Sequence, residues 1–258
     1  MTAVVAPPSA APTALAAAGQ VSARALRQYF RTPSLLVMGM VQSAMFLFSF
    51  RYVFGGAITA NGESYVTYLV PGYIATIVLF TGGGIAVAVA EDRTQGFTDR
   101  LLSLPIPRYA IVLGRTAADF VTNTWSILFT TGCGFLFGFR LPGTAAQGLA
   151  ALGLCLLYGF VFISLFTVIG LTASNAQAAQ GMSMIAFILA FISGTYVPAN
   201  TMPGWLRGFA EYQPITPMVT AVRSALTGSS SDVALALVWS CALIAVFTPV
   251  AVWRYRRP

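Results

Sequence analysis

The sequence predicts an all-α membrane protein with six transmembrane helices behind an N-terminal helix lying in the membrane interface. Three observations carry that prediction: a composition too apolar for water, six apolar runs of bilayer length, and a one-sided distribution of arginines. The 258 residues are 57% hydrophobic and 8% charged, with a mean hydropathy of +0.78. Soluble domains carry roughly 25% charged and about 45–50% apolar residues. A water-soluble globule of this length has no interior large enough to hide the excess.

Residues 1–20 are rich in Ala and Pro and carry no charge. A secretory signal needs a basic start before its apolar core, and here the arginines follow instead. The segment reads as a disordered cytoplasmic tail. In residues 21–31 a helical wheel puts Val21, Ala25, Leu26, Tyr29 and Phe30 on one half and Arg24, Arg27, Gln28 and Arg31 on the other. A basic face opposite an aromatic-containing apolar face suits a helix lying on the bilayer surface.

Apolar runs near 34–54, 66–90, 116–139, 147–171, 178–197 and 232–253 each reach the ~20 residues that a ~30 Å hydrocarbon core requires. Residues 21–258 then form a single transmembrane domain. With both termini inside, the inner segments hold ten arginines (24, 27, 31, 93, 100, 108, 115, 254, 256 and 257) and the outer ones four (51, 140, 207 and 223). That asymmetry is the positive-inside pattern, and it fits an orientation with both termini cytoplasmic. The net charge of +7 follows from topology and from contact with anionic lipid.

What is missing excludes whole chemistries. All 14 basic residues are Arg, and the chain has no Lys and no His. A phosphate-cradling GxxxxGK[ST] loop, an HExxH zinc site, a Ser-His-Asp triad and a lysine Schiff base are all ruled out. No catalytic residue and no metal site is predicted. Cys133, Cys155 and Cys241 stand far apart in apolar runs and read as small core residues. Asp119, Arg51 and Arg140 lie near the ends of spans, where side chains reach the headgroups. A carrier coupled to protons or sodium needs acids or broken helices at the midplane, and none is visible. A membrane-embedded enzyme fares no better, because Glu91, Asp92 and Asp99 have no recognised metal-binding spacing. Glycines 82–84, 132, 134 and 138 suit either close helix packing or a flexible segment.

Two segments stand out. In residues 91–108, Phe97, Leu101 and Leu104 share a helical face ringed by charges of both signs, and Pro105 and Pro107 end the helix. That pattern suits a docking surface for a cytosolic protein, or an amphipathic loop resting on lipid. In residues 193–231, Trp205 and Tyr212 suit the headgroup level, and the apolar stretch 215–227 is too short to cross. Such a stretch dips into a membrane only where protein covers its backbone.

The inner segment has the form E-x-x-x-x-G-x-x-x-x-L-x-x-x-P at Glu91, Gly96, Leu101 and Pro105, followed by Gly114-Arg115. The outer one has S-G-x-x-x-P-x-x-x-M-P-x-W…P…R at Ser193, Gly194, Pro198, Met202, Pro203, Trp205, Pro214 and Arg223. In that order and behind a basic amphipathic helix, they resemble permease subunits of type-2 ABC exporters, especially the daunorubicin-resistance permeases of actinobacteria. The resemblance spans roughly residues 21–257. It implies a permease without cofactors of its own, paired with a second copy or a paralogue. A separate cytosolic ATPase would bind ATP and Mg, docking on Arg24, Arg27, Glu91, Arg93, Gly96, Phe97, Arg100, Leu101, Leu104 and Pro105. Re-entrant outer helices, marked by Pro198, Met202, Pro203, Trp205, Pro214 and Arg223, would cap the path. The implied cargo is an amphiphilic drug-like or antibiotic molecule. A complex lipid or glycoconjugate is the alternative, with a secondary carrier or channel as the reading from another class.

Overall fold

The computed structural model describes residues 14–31, 33–54, 65–97, 100, 103, 108–198, 201–229 and 232–255. The described residues form helices and turns, with no strand among them. In chain order the helices are α1 (Ala14–Arg31), α2 (Pro33–Ser49) with a π-helical turn at Phe50–Phe54, α3 (Tyr65–Thr94), α4 (Arg108–Leu136) and α5 (Ala145–Thr172). They continue with α6 (Ala176–Phe191), α7 (Gly204–Tyr212), α8 (Ile215–Thr227) and α9 (Val233–Tyr255).

Helix α3 is the axis of the bundle, packed by α5, α6, α4 and α8. Its most apolar stretch is 72% buried, against 11% for α9, which covers one side and leaves Val238, Val246 and Trp253 exposed. Three helices (α3, α5 and α9) have both the length and the composition to cross a membrane. Residues Val37–Val53 and α6 are apolar but shorter, while α4 is long but carries Arg115 and Asp119.

Local chemistry explains the boundaries. Thr144 and Gln147 close a capping box at the start of α5, and the Asn175 side chain accepts from Ala178 N at 2.8 Å to start α6. Gly228, at φ 79°, ends α8 in the left-handed conformation that glycine adopts without strain. Helix α1 begins at Ala14 rather than near residue 21, because the Ala-rich stretch before it has high helix propensity. It also packs closely on α4: a Cβ on Gly114 would stand 2.5 Å from the Ala18 carbonyl.

The glycines and cysteines divide. Gly82 makes room for the Phe166 ring and Gly134 for Val70, whereas Gly84 and Gly132 face open space. Cys133 and Cys155 are buried, but Cys241 is exposed on α9, so it is not a core residue.

Candidate functional site

The chain turns away from α3 at Thr94. Glu91, Asp92 and Arg93 belong to the last turn of α3, not to a separate loop helix. The helix breaks at Gly96, whose φ of 67° is costly for any residue with a Cβ. Just beyond it, the Phe97 ring meets the Arg24 guanidinium of α1 at 3.5 Å from the ring centroid, a cation–π contact. This joins the two segments in which sequence places the docking residues. Arg27 donates to its own helix at Ala23 O, 3.2 Å away, and Arg100 N donates to Gly96 O at 3.2 Å. Arg93 Nη1 donates to Leu171 O at 2.6 Å, tying the end of α3 to the end of α5. Glu91 is exposed. Leu101, Leu104 and Pro105 lie outside the described residues.

Beside this corner is an ionic cluster that sequence reasoning missed. Arg115 Nη1 pairs with Asp92, and its Nε lies 3.2 Å from Asp119 Oδ2. Asp119 is only 7% exposed, so its carboxylate turns inward to Arg115 and does not reach for headgroups. The i,i+4 spacing of Arg115 and Asp119 in an otherwise apolar helix was the available signal.

The cluster lines part of a cavity of about 370 Å³ between α1, α2, α3 and α4. Ile77, Phe80, Trp125 and Phe129 give it apolar walls, and Ser43, Thr81, Thr122 and Thr130 supply hydroxyls. Ser43 and Thr130 also bond to each other at 2.8 Å across α2 and α4. Tyr29 of α1 lines it too; burial raises its phenol above the ordinary 10.0, so it is a neutral O–H at physiological pH.

The opposite end of α3 is held by Arg223 of α8. Its guanidinium donates to Tyr68 O (3.1 Å), Gly194 O (2.9 Å) and Thr195 O (2.7 Å), and lies 3.6 Å from the Tyr68 ring centroid. Tyr68 Oη donates to Gly194 O at 2.6 Å and Tyr65 Oη to Tyr196 O at 3.1 Å. Thr216 Oγ1 accepts from Gly194 N at 3.1 Å, and Gln213 Nε2 donates to Leu189 O at 2.9 Å. Residues 193–196 are thereby buried between α3 and α8, and the Tyr196 ring packs on Phe46, Phe50 and Phe191. Pro198 is buried, Pro203 and Pro214 precede α7 and α8, and Met202 is half-buried. Trp205 is 81% exposed on α7, with Phe209 and Tyr212 also exposed. Of the six outer residues, Arg223 binds the assembly and Trp205 faces away from it.

The two end clusters are separated by the length of α3 between Tyr68 and Asp92, about 36 Å at 1.5 Å per residue. The profile of ABC-2 type transporters matches residues 17–227, from α1 through α8. A daunorubicin resistance ABC transporter permease protein of Streptomyces coeruleorubidus is 30% identical over 236 residues, 90% of this chain and 83% of its own length. A doxorubicin resistance ABC transporter permease protein of Mycobacterium tuberculosis is 25% identical over 205 residues, 78% of this chain and 68% of its own. With a family match that runs through all but the last of these helices, the chain belongs to the ABC-2 type transporter family.

Proposed function

We propose that this chain is the membrane-spanning permease subunit of an ATP-driven exporter that moves amphiphilic drug-like molecules out of the cell. The match across residues 17–227 carries this reading, and the drug-resistance permeases among its relatives support the cargo class. The chain has no lysine for a phosphate loop. ATP hydrolysis therefore falls to a cytosolic partner, with ATP and Mg bound there. The permease domain expected over residues 21–258 takes in the whole of the interfacial α1, which starts at Ala14.

In this arrangement six helices (α2, α3, α4, α5, α6 and α9) cross the plasma membrane, with both termini cytoplasmic. Helices α7 and α8 form the re-entrant outer cap, marked by Pro198, Met202, Pro203, Trp205, Pro214 and Arg223. The ATPase docks on Arg24, Arg27, Glu91, Arg93, Gly96, Phe97, Arg100, Leu101, Leu104 and Pro105. The Arg24–Phe97 contact supports treating α1 and the α3–α4 connection as one surface. ATP-driven closure pushes on that surface and moves the permease as a rigid body against its dimer mate.

Co-purification from the native membrane tests this. A nucleotide-hydrolysing subunit is expected to accompany the tagged chain and to be lost with Phe97→Asp. A chain that purifies without such a companion, yet still transports, would overturn the reading.

A further inference from the structure

We infer that Arg115 is the positioning residue that carries movement of the docking corner into the bundle. Its bond to Asp92 of α3 is the one that releases, and its bond to Asp119 of α4 is the one that stays. The role in transport rests on the exporter reading; the asymmetry of the joint does not.

Position is the first observation. Asp92 belongs to the last turn of α3, between Glu91 and Arg93 and just ahead of the break at Gly96, so it moves with the segment on which an ATPase would push. Arg115 follows Gly114, where α4 touches α1, and Tyr255 at the end of α9 is buried within electrostatic reach of it. One guanidinium therefore sits where α1, α3, α4 and α9 meet. The other ties of the corner end elsewhere, Arg93 on Leu171 O of α5 and Arg24 on the Phe97 ring. Of the ion pairs among the described residues, Arg115–Asp92 joins two helices, whereas Arg115–Asp119 and Arg207–Glu211 each lie within one.

Asymmetry is the second. Asp119 lies one turn along the same helix, so its contacts with Arg115 Nε, at 3.3 and 3.2 Å, travel with the guanidinium. Asp92 is on another helix, and a displacement of the α3 end against α4 loads the Arg115–Asp92 bond alone. Exposure follows the same order: the Asp92 side chain is 23% exposed and that of Asp119 11%. A departing Asp92 carboxylate has water to reach, while Arg115 keeps an enclosed counter-charge. With a single acid, the arginine would be left bare in a poorly solvated corner, and that stripping is what makes a broken buried pair costly. The second acid removes the obstacle and gives the corner two stable arrangements, the kind of element that a switch biases.

The test uses the full-length chain with its co-purified ATPase in nanodiscs, with Cys133, Cys155 and Cys241 replaced. Spin labels at Gln95→Cys and Tyr109→Cys, both at exposed positions, report the spacing of the α3 and α4 ends by double electron–electron resonance. The otherwise unaltered chain is expected to hold a short spacing without nucleotide and a longer one when trapped with ATP and vanadate. Asp92→Asn is expected to raise the longer population about tenfold without nucleotide. Asp119→Asn should keep the short spacing in both conditions, because release would then strip Arg115. Exchanging the pair, Asp92→Arg with Arg115→Asp, keeps the charge count and should restore the nucleotide dependence. Export per ATP hydrolysed should fall about tenfold in both single variants while the ATPase stays bound, which a loss of folding alone would not produce. An unchanged nucleotide-free spacing in Asp92→Asn, the same lengthening in Asp119→Asn, or an exchange that fails to restore the short spacing would overturn the inference. ATP-dependent export with no nucleotide-driven change of spacing would overturn it as well and leave the exporter reading standing. A chain that carries no ATPase and exports nothing would sink the exporter reading, and the nucleotide-free spacings would still decide whether Arg115 releases Asp92.

Discussion

Arg223 and Arg115 are both arginines in an apolar bundle, and their partners give them different work. Arg223 supplies donors to three carbonyls of two other segments, and a planar guanidinium serves such a fork better than an ammonium. Arg223→Leu would take from Thr195 O its donor in a buried turn, where an orphaned acceptor costs about 1–3 kcal/mol, and would remove the guanidinium that links that turn to Tyr68 O, while Gly194 O keeps Tyr68 Oη. The expected result is a thermal midpoint lowered by at least about 5 °C, with Arg223→Lys recovering only part of it, read by tryptophan fluorescence on the detergent-solubilised chain. A midpoint unchanged in Arg223→Leu would mean the turn is held by Tyr65, Tyr68 and Thr216 without it. Arg115 joins two acids instead, so its removal would leave Asp92 and Asp119 to repel each other in a poorly solvated corner.

Among the elements, α1 is held chiefly by α4, and its approach at Gly114 is the tightest point of that interface. The Gly114 Cα meets the backbone of α1 at Ala18 and the side chain of Val21, a contact that only a residue without a Cβ permits. Gly114→Leu is expected to lift α1 from α4 while leaving α3, α5 and α9 packed. Limited proteolysis should then cut after Arg24, Arg27 or Arg31 several-fold faster than in wild type. Unchanged cleavage would show that α1 is anchored elsewhere. The same separation would open the cavity wall formed by Ala25 and Tyr29.

For the whole molecule, the question is which ends face which side. If six helices cross, the α4–α5 connection and α7 lie on one side and the α5–α6 connection on the other. Single cysteines in a chain whose Cys133, Cys155 and Cys241 are replaced test this. A membrane-impermeant maleimide added to intact cells should label Arg140→Cys and Arg207→Cys, and should reach Ser174→Cys only after permeabilisation. Labelling of Ser174→Cys in intact cells would remove the six-crossing arrangement.

The sequence by itself determined the helical class, the positions of the long apolar helices and the membership of α1 in an amphipathic surface, because hydrophobic length and periodicity are local properties. It also marked Arg223 and Phe97 as worth attention. Only the tertiary structure decided what those residues touch: Phe97 meets Arg24 across 73 positions of chain, and Arg223 reaches back to Tyr68 across 155. The Arg115 cluster and the cavity were illegible for the same reason. Each is made by side chains from separate helices, and the rotation of one helix against another depends on packing that no single stretch of sequence encodes. Asp119 shows the difference plainly: its i,i+4 place after Arg115 on α4 is local and was legible, whereas its burial and the arrival of Asp92 from α3 as the second partner of Arg115 depend on how α4 packs.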